Sequence, residues 1–335
     1  MTPRKHPHAV DAAPAVRPGS EPAAPRPAEP GADPGPDGDG SGPPGAVVVG
    51  LDGAPGSRPA LRWAADEAAR RHAPLVLVHA YRRPATGGFP GYNPVPDDLL
   101  GGLRDHGREV LRAAAAEMAR RHPELTVTRV LRPGRAEVVL RAVSAGARLT
   151  VVGHAATSRL TGVLLGSVAL AVTSGNPAPV AVVPPGHLPD GPIVVGVDGS
   201  PLSEAAVAFA FAEAALRRTE LVAVHAWNDP ALDARRLEPL LIDPGSLAEQ
   251  ERALLAERLA GWVERYPDVR VRQVLAPRRP VPGLLAYAAD AAAVVVGSHG
   301  RGGLAGMLLG STSHALATHA RCPVIVVRHP GFGVR

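Results

Sequence analysis

The chain has 335 residues, room for two domains of ordinary size, and 45% of them are hydrophobic but only 3% aromatic, so its cores rest on Ala, Val and Leu. Its one cysteine, Cys322, excludes a disulfide framework and a cysteine-rich metal site and fits a reducing, cytoplasmic compartment. The formal net charge of +5 comes from arginine, because Lys5 is the sole lysine, and this excludes a P-loop, a protein kinase and a Schiff-base enzyme.

Residues 1–44 are rich in Pro, Gly, Ala and Asp and lack apolar periodicity. They read as a disordered tail, dispensable for folding and binding. The opening MTPRKHPHAVDAAPA has no apolar core of the signal-peptide kind. No run of about 18 apolar residues predicts a membrane span. No arginine cluster is interleaved with aromatics, so the basic charge reads as a solvated surface and no nucleic-acid partner is expected.

Beyond the tail the chain repeats itself. AVVVGLDGAPGSRPALRWAADEAARRHAPLVLVHAY, from Ala46, aligns without a gap with PIVVGVDGSPLSEAAVAFAFAEAALRRTELVAVHAW, from Pro192, at an offset of 146. Further on, VVGHAATSRLTGVLLGS (from Val151) lies over VVGSHGRGGLAGMLLGS (from Val295), and APVAVVPP over CPVIVVRH, at an offset of 144. Two copies of one domain, 45–185 and 191–329, are joined near Pro184–Gly191.

Within the first copy, Val-rich runs predict buried parallel strands at 46–51, 75–80, 126–131, 149–153 and 179–183. Between them the spacing predicts helices at 57–72 and 97–121. Strand–helix alternation points to an α/β fold with a parallel sheet covered on both faces, whose ligands sit at the carboxyl ends of the strands. The final strands, 179–183 and 323–328, are expected to meet near a pseudo-two-fold axis, because exposed sheet edges need cover.

Two features mark that carboxyl edge. The stretch GSHGRGGLAGMLLGS, Gly297 to Ser311, runs from a strand to a helix start, where unpaired N–H groups suit a phosphate, with Ser311 and Thr312 as hydroxyl donors. It reads equally as a glycine-rich turn for close packing. Asp198, in GVDGS, can accept from a ribose hydroxyl or an adenine amino group, or can cap the next helix. Asp52, in GLDGA, is its copy. His79 and His225 end the second strand of each copy without metal-ligand spacing, and read as core histidines bonded to backbone. Cys322 reads as a small buried residue. Trp63, Trp227 and Trp262 are too few for a base-stacking platform.

These residues resemble the universal stress protein family in a tandem two-domain form, over roughly residues 45–329. Its nucleotide-binding members carry G-x2-G-x9-G-[ST] before the last helix, which Gly297, Gly300, Gly310 and Ser311 fit. The resemblance implies two tandem open parallel sheets, Rossmann-like and five-stranded, dimers formed through the last strand, and adenine held by the strand-one Asp and a backbone group after strand two. Carried over, the ATP site of domain 2 is Gly196, Val197, Asp198, Ala226, Val296, Gly297, Gly300, Gly310, Ser311 and Thr312. That of domain 1 is Gly50, Leu51, Asp52, Ala80, Val152, Gly153, Gly166, Ser167 and Val168. Domain 1 departs from the pattern: Ala156 replaces the second glycine and Ala54 stands where domain 2 has Ser200, which predicts weaker binding there, or none.

The expected function is therefore a cytoplasmic, ATP-binding stress sensor or regulator, with Mg2+ as an optional companion of the nucleotide. It is expected to form an intrachain pseudo-dimer, with a homodimer of chains as a further option. No residue set resembles a catalytic machine, so any hydrolysis is expected to be slow. A nucleotide-free interaction module of the same fold is the alternative. An adenylating enzyme would need an SGGxDS-type loop after strand one, and a dehydrogenase its glycines after strand one rather than strand four. Gly300→Ala and Gly310→Ala are expected to weaken ATP binding and to leave ligand-free stability nearly unchanged.

Overall fold

The computed structural model describes residues 42–82, 97–154, 165–186, 189–226, 244–277, 279–300 and 309–328. Most of the expected tail, Ala156, Trp227 and the centre of the glycine loop at 301–308 lie outside the described residues.

Domain 1 runs β1 (Val47–Gly50), a 3₁₀ turn (Pro55–Ser57), α1 (Arg58–Arg70), β2 (Leu75–Tyr81), α2 (Asp97–Arg121), β3 (Val127–Pro133), α3 (Ala136–Val143), β4 (Leu149–Gly153), α4 (Ser167–Gly175) and β5 (Val180–Val183). Domain 2 repeats it with β6 (Ile193–Val197), α5 (Pro201–Arg217), β7 (Leu221–Ala226), α6 (Pro244–Arg265), β8 (Val271–Ala276), α7 (Pro280–Ala288), β9 (Ala293–Gly297), α8 (Ser311–His319) and β10 (Val324–Val327). Expected strand ends differ from these by no more than two residues.

The Val runs follow from having helices on both faces, which leaves no polar side to the strand. Successive side chains still point to opposite faces. Val47, Val49, Leu75 and Leu77 pack into one layer with Leu61 of α1 and Leu111 and Met118 of α2. Val48, Val76 and Val78 pack into the other with Leu140 of α3 and Val172 of α4. Phe211 of α5 and Leu255 and Leu259 of α6 extend the first layer into domain 2, and Leu284 of α7 and Leu316 of α8 extend the second.

The strand order is β3-β2-β1-β4-β5-β10-β9-β6-β7-β8, so each half has its five strands in the same order. Within each half β1 lies beside β4, and β6 beside β9, in parallel. The helices that follow these two neighbours, α1 and α4, belong to opposite layers. The connections part there and open a crevice at the strands' carboxyl ends, the usual ligand position in such a sheet.

The two sheets are not separate. β5 and β10 pair antiparallel, with Val324 opposite Val182, Ile325 opposite Ala181 and Val326 opposite Val180. At the repeat offset, Ala181 and Ile325 are copies of each other, so a pseudo-two-fold axis passes between them. The two last-strand edges cover one another, which answers the edge problem within one chain.

A buried charge quartet marks the join at the helix layer. Glu67 and Arg71 of α1 are the copies of Glu213 and Arg217 of α5. Within each helix Arg71 lies 3.2 Å from Glu67, and Arg217 2.6 Å from Glu213. Across the join Arg71 bonds Glu213 and Arg217 bonds Glu67. Each guanidinium also lies over a ring of the other domain, Arg217 over Trp63 at 5.8 Å and Arg71 over Phe209 at 5.7 Å. Burial, and then the neighbouring Glu213 carboxylate, push the Glu67 carboxyl up to about 7 against the pull of Arg217, Arg71 and Arg70. At Glu213 burial also works upward, but Arg71 and Arg217 outweigh it and hold the carboxyl below its ordinary value.

Candidate functional site

The strand-one loops are built alike. Ala54 N–H donates to Asp52 Oδ1 at 2.9 Å, and Ser200 N–H to Asp198 Oδ1 at 2.9 Å. Each aspartate uses one oxygen to close its own turn. The capping role falls elsewhere: Ser200 is the N-cap of α5, and its hydroxyl accepts from Ser203 N–H at 3.2 Å. With Ala54 at that place, domain 1 forms the Pro55–Ser57 turn instead, without a side-chain cap. Gly196 and Val197 end β6, and Ala226 ends β7.

The glycine loop of domain 2 holds both kinds of glycine. Gly297 ends β9 in a buried position where a Cβ would stand 2.9 Å from the Leu202 carbonyl oxygen. Gly310 donates its N–H to the Ser298 carbonyl at 2.8 Å, and a Cβ there would stand 3.0 Å from that same oxygen. Ser313 Oγ donates to the Gly297 carbonyl at 2.6 Å and ties α8 to the strand end. These two glycines thus close the base of the loop by packing. A methyl at Gly310 would press on this backbone, so Gly310→Ala is expected to cost ligand-free stability as well as binding.

Gly300 is different. A Cβ on it would lie 2.6 Å from Asp198 Oδ2, so the glycine loop and the strand-one loop approach each other at this point. Beyond it, α8 starts after Gly310, and α4 after Gly166, with no side-chain cap at either start. The first-turn N–H groups therefore have no capping side chain and present the positive end of the helix. Val296 lies buried one residue before the end of β9, Ser311 is exposed at the first position of α8, and Thr312 follows half-buried.

In domain 1 the expected residues converge on one cavity of about 120 Å³. Gly50, Leu51, Asp52, Ala80, Val152, Gly153 and Val168 all line it. Gly166, the N-cap of α4, and Ser167, its first residue, stand next to Val168. Ser57, Val78, Ala136, Leu140, His154 and Ala169 complete the wall and were not expected from the sequence. The signal for Ser57 was the repeat itself, which matches it to Ser203. The volume is below the roughly 300–1,000 Å³ of a whole small-molecule site.

The strand-two histidines are bonded to backbone: His79 Nδ1 lies 2.8 Å from the Leu51 carbonyl and His225 Nδ1 2.7 Å from that of Val197. His225 Nε2 also meets Glu251 at 2.7 Å. Burial, with His106 adding to it, holds His79 below its ordinary value against the Leu51 carbonyl. Among the described residues no group of three or more His, Cys, Asp or Glu is placed to hold a metal ion. No described helix is long and apolar enough to cross a membrane.

Comparison with known proteins gives the same picture. The model of the universal stress protein family matches residues 45–184 and again 191–328. A universal stress protein of Mycobacterium tuberculosis is 41% identical over 290 residues, covering 84% of this chain and 96% of its own. Another from the same organism is 39% identical over 296 residues, covering 84% and 96%. Among solved structures, a universal stress protein from Archaeoglobus fulgidus superposes with a TM-score of 0.63 at 20% identity, covering 85% of this chain and 98% of its own, a likeness of fold. The chain belongs to the universal stress protein family and carries two tandem copies of its domain.

Proposed function

We propose that the chain binds an adenine nucleotide, ATP or a close relative, at the crevice of its sheet halves, and serves in the cytoplasm as a stress-response sensor or regulator rather than as a fast enzyme. The observation that carries this reading is the convergence at one place of a carboxylate, a close backbone approach and an uncapped helix start. In domain 2 these are Asp198, Gly300 and the first turn of α8. In domain 1, seven of the nine residues expected at a nucleotide line one cavity.

The chemistry suits the parts. One Asp198 oxygen closes the turn, and a carboxylate is an acceptor of the kind a ribose hydroxyl or the adenine amino group calls for. The first turn of α8 offers N–H groups and a positive dipole end for phosphate. Any Mg2+ would arrive with the phosphates. With no lysine in either domain, any hydrolysis is expected to be slow. Because β5 and β10 cover each other within the chain, pairing of whole chains would use a different surface.

Mass spectrometry of ligand released from the native protein, followed by calorimetric titration of ATP into wild type and Asp198→Ala, tests this. Nucleotide in the released fraction, and an affinity that falls about tenfold or more in the variant, are expected. Neither retained nucleotide nor binding heat at millimolar ATP would leave the nucleotide-free interaction module as the function.

A further inference from the structure

His154 follows Gly153 at the end of β4, and its copy in domain 2 is Ser298. The imidazole is 6% exposed and forms part of the cavity wall in domain 1. Its Nε2 lies 3.0 Å from the carbonyl oxygen of Ala317, in α8 of the other domain. A carbonyl only accepts, so Nε2 carries the hydrogen. Nδ1 is buried and has no hydrogen-bond partner among the described residues. In the neutral ring it is a bare acceptor, and an unmet buried acceptor is costly.

A ligand resolves this in one of two ways, by supplying a donor or by supplying a proton acceptor that draws a proton onto Nδ1. The surroundings favour the second. The cavity opens beside the uncapped start of α4, which attracts an anion. A phosphate oxygen placed there meets the Nδ1 lone pair unfavourably. Once Nδ1 takes a proton from solvent, the imidazolium donates from both nitrogens, to Ala317 and to the phosphate, and the second bond is charge-assisted. Imidazole is the side chain suited to this change between pH 5 and 8.

The titratable and charged groups on the surrounding elements are Asp52 in the same cavity wall, Glu137 and Arg141 on α3, His314 and His319 on α8, and Arg328 after β10, whose guanidinium donates to the Ser174 carbonyl of α4. Domain 2 has no titratable group at this position; the Ser298 hydroxyl lies 3.3 Å from His299 Nδ1.

We propose that domain 1 binds the phosphate portion of an adenine nucleotide with uptake of one proton onto His154 Nδ1, so that the two halves of the chain respond differently to pH. This rests on the nucleotide reading above and adds to it a residue, a tautomer and a proton.

The test is nitrogen-detected NMR of the histidine rings in the full chain, with ATP added at pH 7.5 and the His154 signals identified by their loss in His154→Gln. The glutamine keeps an N–H for the Ala317 carbonyl and lacks the second ring nitrogen. The Nδ1 resonance of wild type is expected to move from the bare to the protonated position as ATP is added. Domain 1 affinity, followed at the Ala80 and Val168 amides, is expected to rise roughly tenfold from pH 8 to pH 6 in wild type and to stay flat in His154→Gln. Binding at those amides with an unchanged His154 ring, or with equal pH dependence in the variant, overturns the proposal. Movement of the Ala226 and Thr312 amides alone also overturns it, while leaving the nucleotide reading intact. No movement in either domain defeats both. Should His154→Gln fail to fold, His154→Asn supplies the identification, and the ring nitrogen of wild type decides the matter.

Discussion

Arg217 of α5 is bonded to Glu67 of α1 although 150 residues separate them in sequence, and Arg71 repeats the bond with Glu213. All four side chains are under 10% exposed. Removing one partner strands a buried charge, which typically costs about 3–5 kcal/mol. Glu213→Ala is expected to lose that much in urea denaturation. Replacing all four residues with Met is expected to be near neutral or stabilising, because a buried ion cluster is dear to desolvate. A loss below about 1 kcal/mol for Glu213→Ala would show that water reaches the quartet.

The same quartet sets a pH dependence. Glu67 is held up to about 7 when folded, against an ordinary 4.5, mainly by burial. Between those values the folded chain binds a proton that the unfolded chain does not. This contribution is full below 4.5 and is lost as pH rises through 7. Glu213, shifted downward, acts below its ordinary range and leaves the window clear. From pH 5.5 to 7.5 wild type is expected to lose about 1–2 kcal/mol relative to Glu67→Gln, read from urea midpoints. Parallel pH profiles for the two proteins would refute it.

Cys322 is fully buried, and burial pushes its thiol up to about 12. The thiolate is the reactive form. Iodoacetamide at pH 8 is expected to leave the native protein unlabelled for hours and to modify it fully in strong denaturant. Rapid labelling of the native state would mean that the β10 end opens.

The two glycines of the loop separate packing from binding. Gly310→Ala drives a methyl against the Ser298 carbonyl and the His299 Cα, and is expected to cost about 1–3 kcal/mol of ligand-free stability. Among the described residues, Gly300→Ala meets the end of the Asp198 side chain rather than backbone. It is expected to leave the ligand-free melting temperature nearly unchanged while weakening ATP binding. Equal ATP affinity in wild type and Gly300→Ala would make the whole loop a packing turn.

Much of this was legible from residues alone. The Val runs located all five strands of domain 1, because a strand covered on both faces has no polar alternative. The repeat implied the join, because two equivalent edges invite mutual cover. The Asp198 and Gly300 neighbourhood came from the family resemblance and not from the residues, because no strand order is written in the pattern of Val runs. The sequence was silent where a contact depends on geometry across the join. Nothing in GHAATS shows that His154 reaches a carbonyl 163 residues away. Nor does a helix reading of WAADEAARR reveal that Glu67 and Arg71 are buried, since charged residues at that spacing ordinarily form a solvated i,i+4 pair. The packing role of Gly310 was hidden for the same reason: its neighbour is backbone, and backbone has no sequence signature.

The axis between Ala181 and Ile325 lies within a single polypeptide rather than between two. In an assembly of identical subunits, a substitution at the axis is imposed on both sides at once, and any change must suit its own mirror position. A covalent pair is free of that constraint. Trp63 can face an arginine on one side while Phe209 does so on the other. A histidine can stand at position 154 while its counterpart remains serine. Joining the two copies in one chain thus lets each half carry its own residue at an equivalent place, and the unlike residues after strand four, His154 and Ser298, are where the two halves part.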